Sequence, residues 1–286
     1  MDQHLISLIA EEILRYLRPP EQPAGSTPEQ EPCSACQDIA SSECKAIPLL
    51  KAAEDPEALL RMKKRTTARI GVGKAGARLN TQTMLTLRAD HAKARDAVFA
   101  DVDPKVIEFL GLFTVQTTCE DKNTYVTRPD LGRQLNEATI RTLKERCIPN
   151  PDVQIYAADG LSSTAIQANL AKILPVITDS LKAKGLTVGT PFFLRFGRVG
   201  SEEYVAEALG AKVVCVLIGE RPGLATAESM SAYIAYNAYV GMPEAKRTVV
   251  SNIHKDGTAA VEAGAYVAEV ICKILEQQAS GVDLVK

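Results

Sequence analysis

Residues 153–184 read VQIYAADGLSSTAIQANLAKILPVITDSLKAK. This stretch contains a short apolar segment, a turn and a long helical pattern. The same succession recurs in the C-terminal half of the chain. The other apolar segments are PFFLRFG (191–197), AKVVCVLIGE (211–220) and RTVVSNI (247–253), and the helical patterns cover 163–184, 201–210, 226–237 and 258–278. Buried strands that alternate with helices predict an α/β fold, with a mainly parallel sheet and flanking helices.

Polar turns follow the predicted strands, at 159–163, 197–200, 219–223 and 251–254. In a parallel sheet these turns meet at the carboxyl edge, where ligands bind in such folds. Asp159 and Glu220 place carboxylates there, beside backbone amides and helix N-termini, and such an edge suits hydroxyl, amide and phosphate groups. A turn or cap role explains any one of these segments equally well, but four on one edge favour a binding site.

The composition indicates an ordinary folded chain. Its 286 residues are 46% hydrophobic and 24% charged, with a net charge of −2, which allows a sizeable core and excludes global disorder. Nucleic-acid binders are usually basic, and a membrane helix needs roughly 18 consecutive apolar residues. We therefore expect neither nucleic acid nor membrane as a partner. Seven cysteines without a secretory signal indicate a reducing compartment.

The first 17 residues, MDQHLISLIAEEILRYL, predict an amphipathic helix. Its apolar face repeats every four residues, at Leu5, Ile9, Ile13 and Leu17. Pro19-Pro20 ends this helix, and residues 18–54 are predicted to be a disordered, Pro-rich linker. The residues alone leave two roles open, because such a helix either folds back on its own domain or docks into a groove on another protein.

Residues 55–110 are predicted to form a helical and strongly charged segment. The sequence RMKKRTTARIGVGKAGAR (61–78) makes a local basic cluster within it. A long helix capped by Thr81 follows, and its predicted inward residues are Met84, Leu85, Leu87 and Ala94. The remaining residues, 111–286, are assigned to the α/β domain.

Three motifs are similar to known sites and lack part of what those sites need. Gly71–Gly76 matches the dinucleotide fingerprint GxGxxG, but a charged segment precedes it where a buried strand is required. Cys33-x-x-Cys36 has no matched second pair of zinc ligands. Asn252-Ile253-His254 lies one residue from the cobalamin-ligating motif DxHxxG but lacks its carboxylate, so a structural role is favoured for His254. Since the sequence contains no complete catalytic constellation, we expect a subunit that binds a ligand while a partner performs the chemistry.

Five phrases of the chain are distinctive when taken together. They are KNTYVTRPDLGRQL (122–135), NPDVQIYAADGLSSTAI (150–166), VGTPFFLRFGRV (188–199), GAKVVCVLIGERPGL (210–224) and SNIHKDGT (251–258). With these phrases the chain resembles the small subunit of ethanolamine ammonia-lyase, over about residues 55–286.

That resemblance implies a Rossmann-like α/β body, in 111–286, that helps to close an adenosylcobalamin site at the interface with a catalytic large subunit. The implied reaction is radical deamination of ethanolamine to acetaldehyde and ammonia by the hetero-oligomer, in ethanolamine degradation. The implied cobalamin contacts are Val199, Glu220 and Val249. Some family members carry cysteine at the last of these positions, so only an apolar or backbone contact is expected there. No catalytic residue and no metal ligand is expected in this chain.

The resemblance also implies roles for the N-terminal regions. Residues 1–17 are then expected to be a targeting helix that binds a shell protein of a bacterial microcompartment in the cytoplasm. The segment 55–110, with its basic cluster, becomes the expected contact with the large subunit. Two other functions stay open: a non-catalytic scaffold protein of the microcompartment, and an NAD-dependent oxidoreductase that uses Gly71–Gly76.

Overall fold

The computed structural model describes residue 39 and residues 41–50, 52–66 and 68–285. Within these residues the α-helices are α1 Ser42–Ala46, α2 Pro56–Lys63, α3 Thr81–Phe99, α4 Pro104–Phe109, α5 Lys122–Thr127, α6 Glu137–Arg146, α7 Ser163–Ala183, α8 Ser201–Leu209 and α9 Ala260–Gln277. The strands are β1 Lys74–Ala75, β2 Arg78–Leu79, β3 Phe113–Gln116, β4 Val153–Ala158, β5 Phe192–Arg195, β6 Val213–Gly219, β7 Met230–Tyr236 and β8 Arg247–Ile253. Short 3₁₀ turns lie at Leu131–Arg133, Glu244–Lys246 and Gly281–Asp283.

Six strands form one sheet in the order β3-β5-β4-β6-β7-β8. The first four are parallel to one another. β7 is antiparallel to both of its neighbours, so β8 runs in the same direction as β6. The predicted α/β fold with a mainly parallel sheet and flanking helices is therefore confirmed, and a Rossmann-like description fits it. None of the helices in the described residues is long and apolar enough to cross a membrane.

The alternation of side chains along β4 explains the layers. Val153 and Ile155 point into a core that also contains Ile173 of α7 and Ile271 of α9. Tyr156 points to the opposite face, into a second core that is closed by α6 and α8. Both faces of the central strands are thus covered, which is why those strands read as nearly continuous apolar runs.

Two sheet strands differ from the sequence predictions. Residues 226–237 were predicted to be helical, but Met230–Tyr236 forms β7 and pairs along its length with β6 and β8. Small and aromatic residues such as those of MSAYIAY are compatible with a helix or a strand. The segment forms a strand because it hydrogen-bonds to the edges of β6 and β8. The four-residue strand β3 had not been predicted at all.

The described part of the predicted linker, 18–54, contains one short helix. Helix α1 lies there with Ser41 as its N-cap. Lys45 forms an ion pair with Asp90 of α3, with 2.9 Å between Nζ and Oδ1. This charge partner, distant in sequence, holds a segment whose composition alone would not fold. The predicted targeting helix, residues 1–17, lies outside the described residues.

Helix α3 begins at Thr81, one residue after its N-cap Asn80, and the prediction of its inward face is only partly correct. Leu87 and Ala94 are half-buried on the inward side. Met84 and Leu85 are exposed, whereas the buried residues are Thr83, Thr86, Asp90 and Ala97. The buried Asp90 explains this orientation, because its carboxylate is ion-paired with both Lys45 and Arg69. The segment 55–110 also contains the short hairpin of β1 and β2 in addition to its helices.

A buried ion-pair cluster fixes the start of β8. Arg247 is almost fully buried and is paired with Glu202 and Glu203 of α8 and with Glu244. Burial raises the pKa of Glu202 to about 8, and Arg247 opposes this shift. The cluster ties β8 to the helix layer, and β8 carries the residues that reach the carboxyl edge of the sheet.

Candidate functional site

A cleft of about 400 Å³ lies at the carboxyl edge of the sheet. We call it the edge cleft. Parts of the turns after β4, β5 and β6 line it, together with Ser231 and Tyr233 of β7 and Val249 and Ser251 of β8. The predicted edge of polar turns is therefore a real concavity, and the parallel course of β4, β5, β6 and β8 produces it.

The three cobalamin contacts that the family resemblance implied lie on this one cleft. Val199, Glu220 and Val249 all line it, although they are up to 50 positions apart in the chain. Glu220 directly follows β6, and Val249 is an exposed residue within β8. The arrangement combines two apolar walls with one carboxylate.

Asp159 stabilises the floor of the edge cleft from below. Its side chain is almost completely buried, and its Oδ1 accepts a hydrogen bond of 3.1 Å from the backbone N–H of Gly197. Its Oδ2 lies 3.4 Å from Nζ of Lys122. Burial raises the pKa of Asp159, and Lys122 opposes the shift. The carboxylate thus joins the turns after β4 and β5 to helix α5 and is not available to a ligand.

Close backbone contact joins the turn after β4 to the end of β6. Gly160 adopts a left-handed φ of +57°, and a Cβ there would lie 2.3 Å from the carbonyl oxygen of Gly219. The N–H of Leu161 donates to the same oxygen at 3.1 Å. Only glycine allows this approach, which brings Leu161 and Glu220 to the same cleft.

Arg198 supplies the edge cleft with a positively charged side chain. Its Nη2 donates to the carbonyl oxygen of Tyr125 at 2.8 Å, and its guanidinium lies 4.4 Å from the centre of the Tyr125 ring. Its Nε is buried and has no hydrogen-bond partner among the described residues. These two contacts hold the guanidinium in place at the edge cleft.

Both ring nitrogens of His254 are engaged in the turn after β8. Nε2 lies 2.9 Å from Oδ1 of Asn252, and Nδ1 accepts from the backbone N–H of Asp256 at 3.2 Å. This geometry agrees with the structural role expected for His254. It leaves neither nitrogen free to bind a metal without breaking the turn.

The glycine motif at 71–76 does not line the edge cleft. Gly71–Gly76 contains β1 and the start of the turn to β2, and it does not join a buried strand to a helix. The geometry that a dinucleotide fingerprint requires is therefore absent from this segment. A Cβ at Gly73 would lie 1.9 Å from the Asn80 side chain, so this glycine is needed for local packing. Cys33 and Cys36 lie outside the described residues.

Sequence reasoning missed the place of Ser231 in the edge cleft and the contact of Arg198 with Tyr125. Ser231 lies within the segment predicted to be helical, so its strand position beside Glu220 was hidden. Arg198 lies in the predicted turn after β5, but its contact with Tyr125 joins segments that are 73 residues apart. The aromatic and basic residues of KNTYVTRPDLGR (122–133) were the sequence feature that could have indicated the contact of Arg198 with Tyr125.

Comparison with known proteins shows the family to which the chain belongs. A family model described as ethanolamine ammonia-lyase light chain matches residues 56–285. The chain belongs to this family. The ethanolamine ammonia-lyase small subunit of Fusobacterium nucleatum is 57% identical over 247 residues, which cover 86% of this chain and 84% of that protein.

Other ethanolamine ammonia-lyase small subunits are similar over the same extent. The one from Clostridium tetani is 55% identical, and the one from Listeria monocytogenes is 48% identical, each over 86% of this chain and 84% of the relative. The match to the family begins at the first residue of α2 and includes the whole sheet and the edge cleft. The chain is accordingly a small subunit of the ethanolamine ammonia-lyase complex.

Lys122→Met tests the buried ion pair beneath the edge cleft. The variant leaves the Asp159 carboxylate buried without its cation, and we expect the free energy of unfolding to fall by about 3 kcal/mol at neutral pH. The loss of Lys122 also raises the pKa of Asp159 further. A raised folded-state pKa means that the folded chain binds the proton more tightly than the unfolded chain. The stability deficit should therefore shrink as the pH falls and grow as it rises.

Urea unfolding of the full chain at about pH 5 and at about pH 7.5 measures this difference. Lys144→Met, on the exposed surface of α6, is the matched control and should change stability by less than about 0.5 kcal/mol at both pH values. If Lys122→Met lowered the free energy of unfolding equally at the two pH values, the ion pair between Lys122 and the Asp159 carboxylate would be contradicted.

Proposed function

We propose that this small subunit helps to bind adenosylcobalamin, with its edge cleft against the corrin side of the cofactor at the interface with a catalytic large subunit. The complex would deaminate ethanolamine to acetaldehyde and ammonia. The observation that carries this proposal is the convergence of Val199, Glu220 and Val249 on one cleft. The names of the relatives, small subunits of ethanolamine ammonia-lyase, supply the reaction and the partner.

The chemistry of the edge cleft suits a corrinoid. Corrin side chains carry amide groups, and the Glu220 carboxylate accepts hydrogen bonds from amide N–H groups. Val199 and Val249 offer apolar contact to the ring edge. The Arg198 guanidinium, which lines the cleft, suits a carbonyl or phosphodiester oxygen. The cleft accommodates only one edge of so large a ring, as a site completed by a second subunit requires.

In this proposal the residues of the chain orient and enclose the cofactor and do not react. Adenosylcobalamin, when bound, supplies the radical chemistry that removes hydrogen from the substrate. Glu220 fixes the ring by accepting a hydrogen bond, and the two valines exclude water from its edge. A closed, dry site protects reactive intermediates from side reactions.

We also propose that α3 and its neighbours in 55–110 contact the large subunit. Helix α3 turns polar residues such as Asp90 inwards and leaves apolar residues exposed, with Leu85 at 48% and Phe99 at 43% of their full surface. Phe109, the last residue of α4, is 80% exposed. An inverted pattern of this kind is typical of a helix whose apolar face is covered by another chain.

Leu85→Asp tests this surface. A charge placed in the proposed contact should weaken association with the large subunit by about tenfold or more, because a leucine buried at an interface contributes a few kcal/mol. Light scattering of the co-purified subunits measures the effect. Val261→Asp, at an exposed apolar position on α9, is the control and should leave association unchanged. Equal association of Leu85→Asp and the parent would refute this use of α3.

Residues 1–17 are proposed to bind a shell protein and to place the complex in a bacterial microcompartment within the cytoplasm. The apolar face of Leu5, Ile9, Ile13 and Leu17 and the Pro-rich sequence after it support this proposal. Deleting residues 1–18 should disperse a fluorescently tagged complex while ethanolamine turnover by the soluble complex is retained. Tagged complexes that still collect in compartments after the deletion would contradict it.

Glu220→Ala tests the cofactor role directly. In the two-subunit complex, cyanocobalamin binding should weaken by about tenfold or more, the contribution of one hydrogen bond to a charged group. Assembly should be unchanged, because Glu220 lines the cleft and not the core. Glu276→Ala, exposed on α9, is the control. Unchanged affinity in an assembled complex would contradict the proposal and favour the alternative of a non-catalytic scaffold.

A further inference from the structure

The pairing of β7 with β8 contains a bulge beside Glu220. Met230 pairs with Ile253, and Ala232 pairs with Val250, so Ser231 alone lies opposite both Ser251 and Asn252. Asn252 has a left-handed φ of +62°. A bulge with one left-handed residue bends its strand and re-aims the groups around it, and bulges are frequent next to functional sites.

The bulge directs two donors to one oxygen of Glu220. The backbone N–H of Asn252 donates to Oε1 at 3.0 Å, and the hydroxyl of Ser231 donates to the same Oε1. Ser231 is almost completely buried, so its hydroxyl is not shared with solvent. Oε2 has no hydrogen-bond partner among the described residues. The carboxylate is therefore fixed through one oxygen and keeps the other as an available acceptor.

The turn after β8 holds the bulge in this shape. His254 Nε2 bonds the Asn252 side chain, and the backbone N–H of Thr258 donates to the carbonyl oxygen of Asn252 at 3.0 Å. A Cβ at Gly257 would lie 2.4 Å from that same oxygen, so the turn packs directly against the bulge. The segment SNIHKDGT (251–258) thus holds the bulge in shape. Its similarity to the cobalamin-ligating motif does not account for this role.

We propose that Ser231 is a positioning residue for Glu220, and that the bulge exists to present one carboxylate oxygen, Oε2, to an amide donor of the bound corrinoid. The inference rests on the proposed cofactor role of the edge cleft. A carboxylate held through one oxygen loses little side-chain freedom on binding, and such preorganisation increases affinity. Without Ser231, Glu220 keeps only the Asn252 N–H and can rotate away from the cleft.

The test is a double-mutant cycle in the assembled two-subunit complex, read as the affinity for cyanocobalamin. Ser231→Ala should weaken binding by about threefold to tenfold, the cost of immobilising on binding a Glu220 side chain that is no longer fixed beforehand. In the Glu220→Ala background the same change should have almost no further effect, because Ser231 acts only through Glu220. Ser229→Ala removes a hydroxyl that has no hydrogen-bond partner among the described residues, and as the matched control it should leave affinity unchanged.

The outcomes separate the inference from the proposed function. If Glu220→Ala weakens binding and Ser231→Ala behaves like Ser229→Ala, the positioning role is overturned while the cofactor role stands. If Ser231→Ala weakens binding equally in both backgrounds, it acts through general disruption of the cleft and the inference is again overturned. If Glu220→Ala has no effect, the cofactor role fails and the inference fails with it. Thermal melting of each complex confirms that the variants are folded.

Discussion

The antiparallel course of β7 is the constraint on which the edge cleft depends. Because β7 reverses the chain once and β8 reverses it again, the ends of β6 and β8 reach the same edge of the sheet. The carboxylate after β6 and the bulge at the end of β8 are therefore neighbours. A crossover helix in place of β7, as the sequence pattern suggested, would lie on a face of the sheet and could not supply Ser231 beside Glu220.

Buried charges hold the elements around this edge in register. Asp159 joins the turns after β4 and β5 to α5, and Arg247 joins β8 to α8. Breaking a buried pair is costly because one charge is left uncompensated, although an intact pair adds little net stability. The value of these pairs is specificity, since each fixes a segment that carries a residue of the cleft. Asp90 similarly holds α1 against α3.

Much of the fold and of the site was predictable from the sequence, because both depend on local patterns. The apolar runs located β4, β5, β6 and β8, and the polar turns after them located the edge that contains Val199 and Glu220. What was missed depends on partners distant in sequence. β7 is a strand because two edges flank it, α3 turns polar residues inwards because Asp90 meets two cations, and the bulge at Ser231 is visible only from strand register.

A cryo-electron microscopy structure of the two-subunit complex with adenosylcobalamin tests the central claim most directly. The account predicts a corrin amide nitrogen within hydrogen-bonding distance of Oε2 of Glu220, with the ring edge against Val199 and Val249. It also predicts that Ser231 still donates to Oε1 in the bound state. A corrin enclosed by the large subunit alone, with the edge cleft open to solvent, would contradict the account.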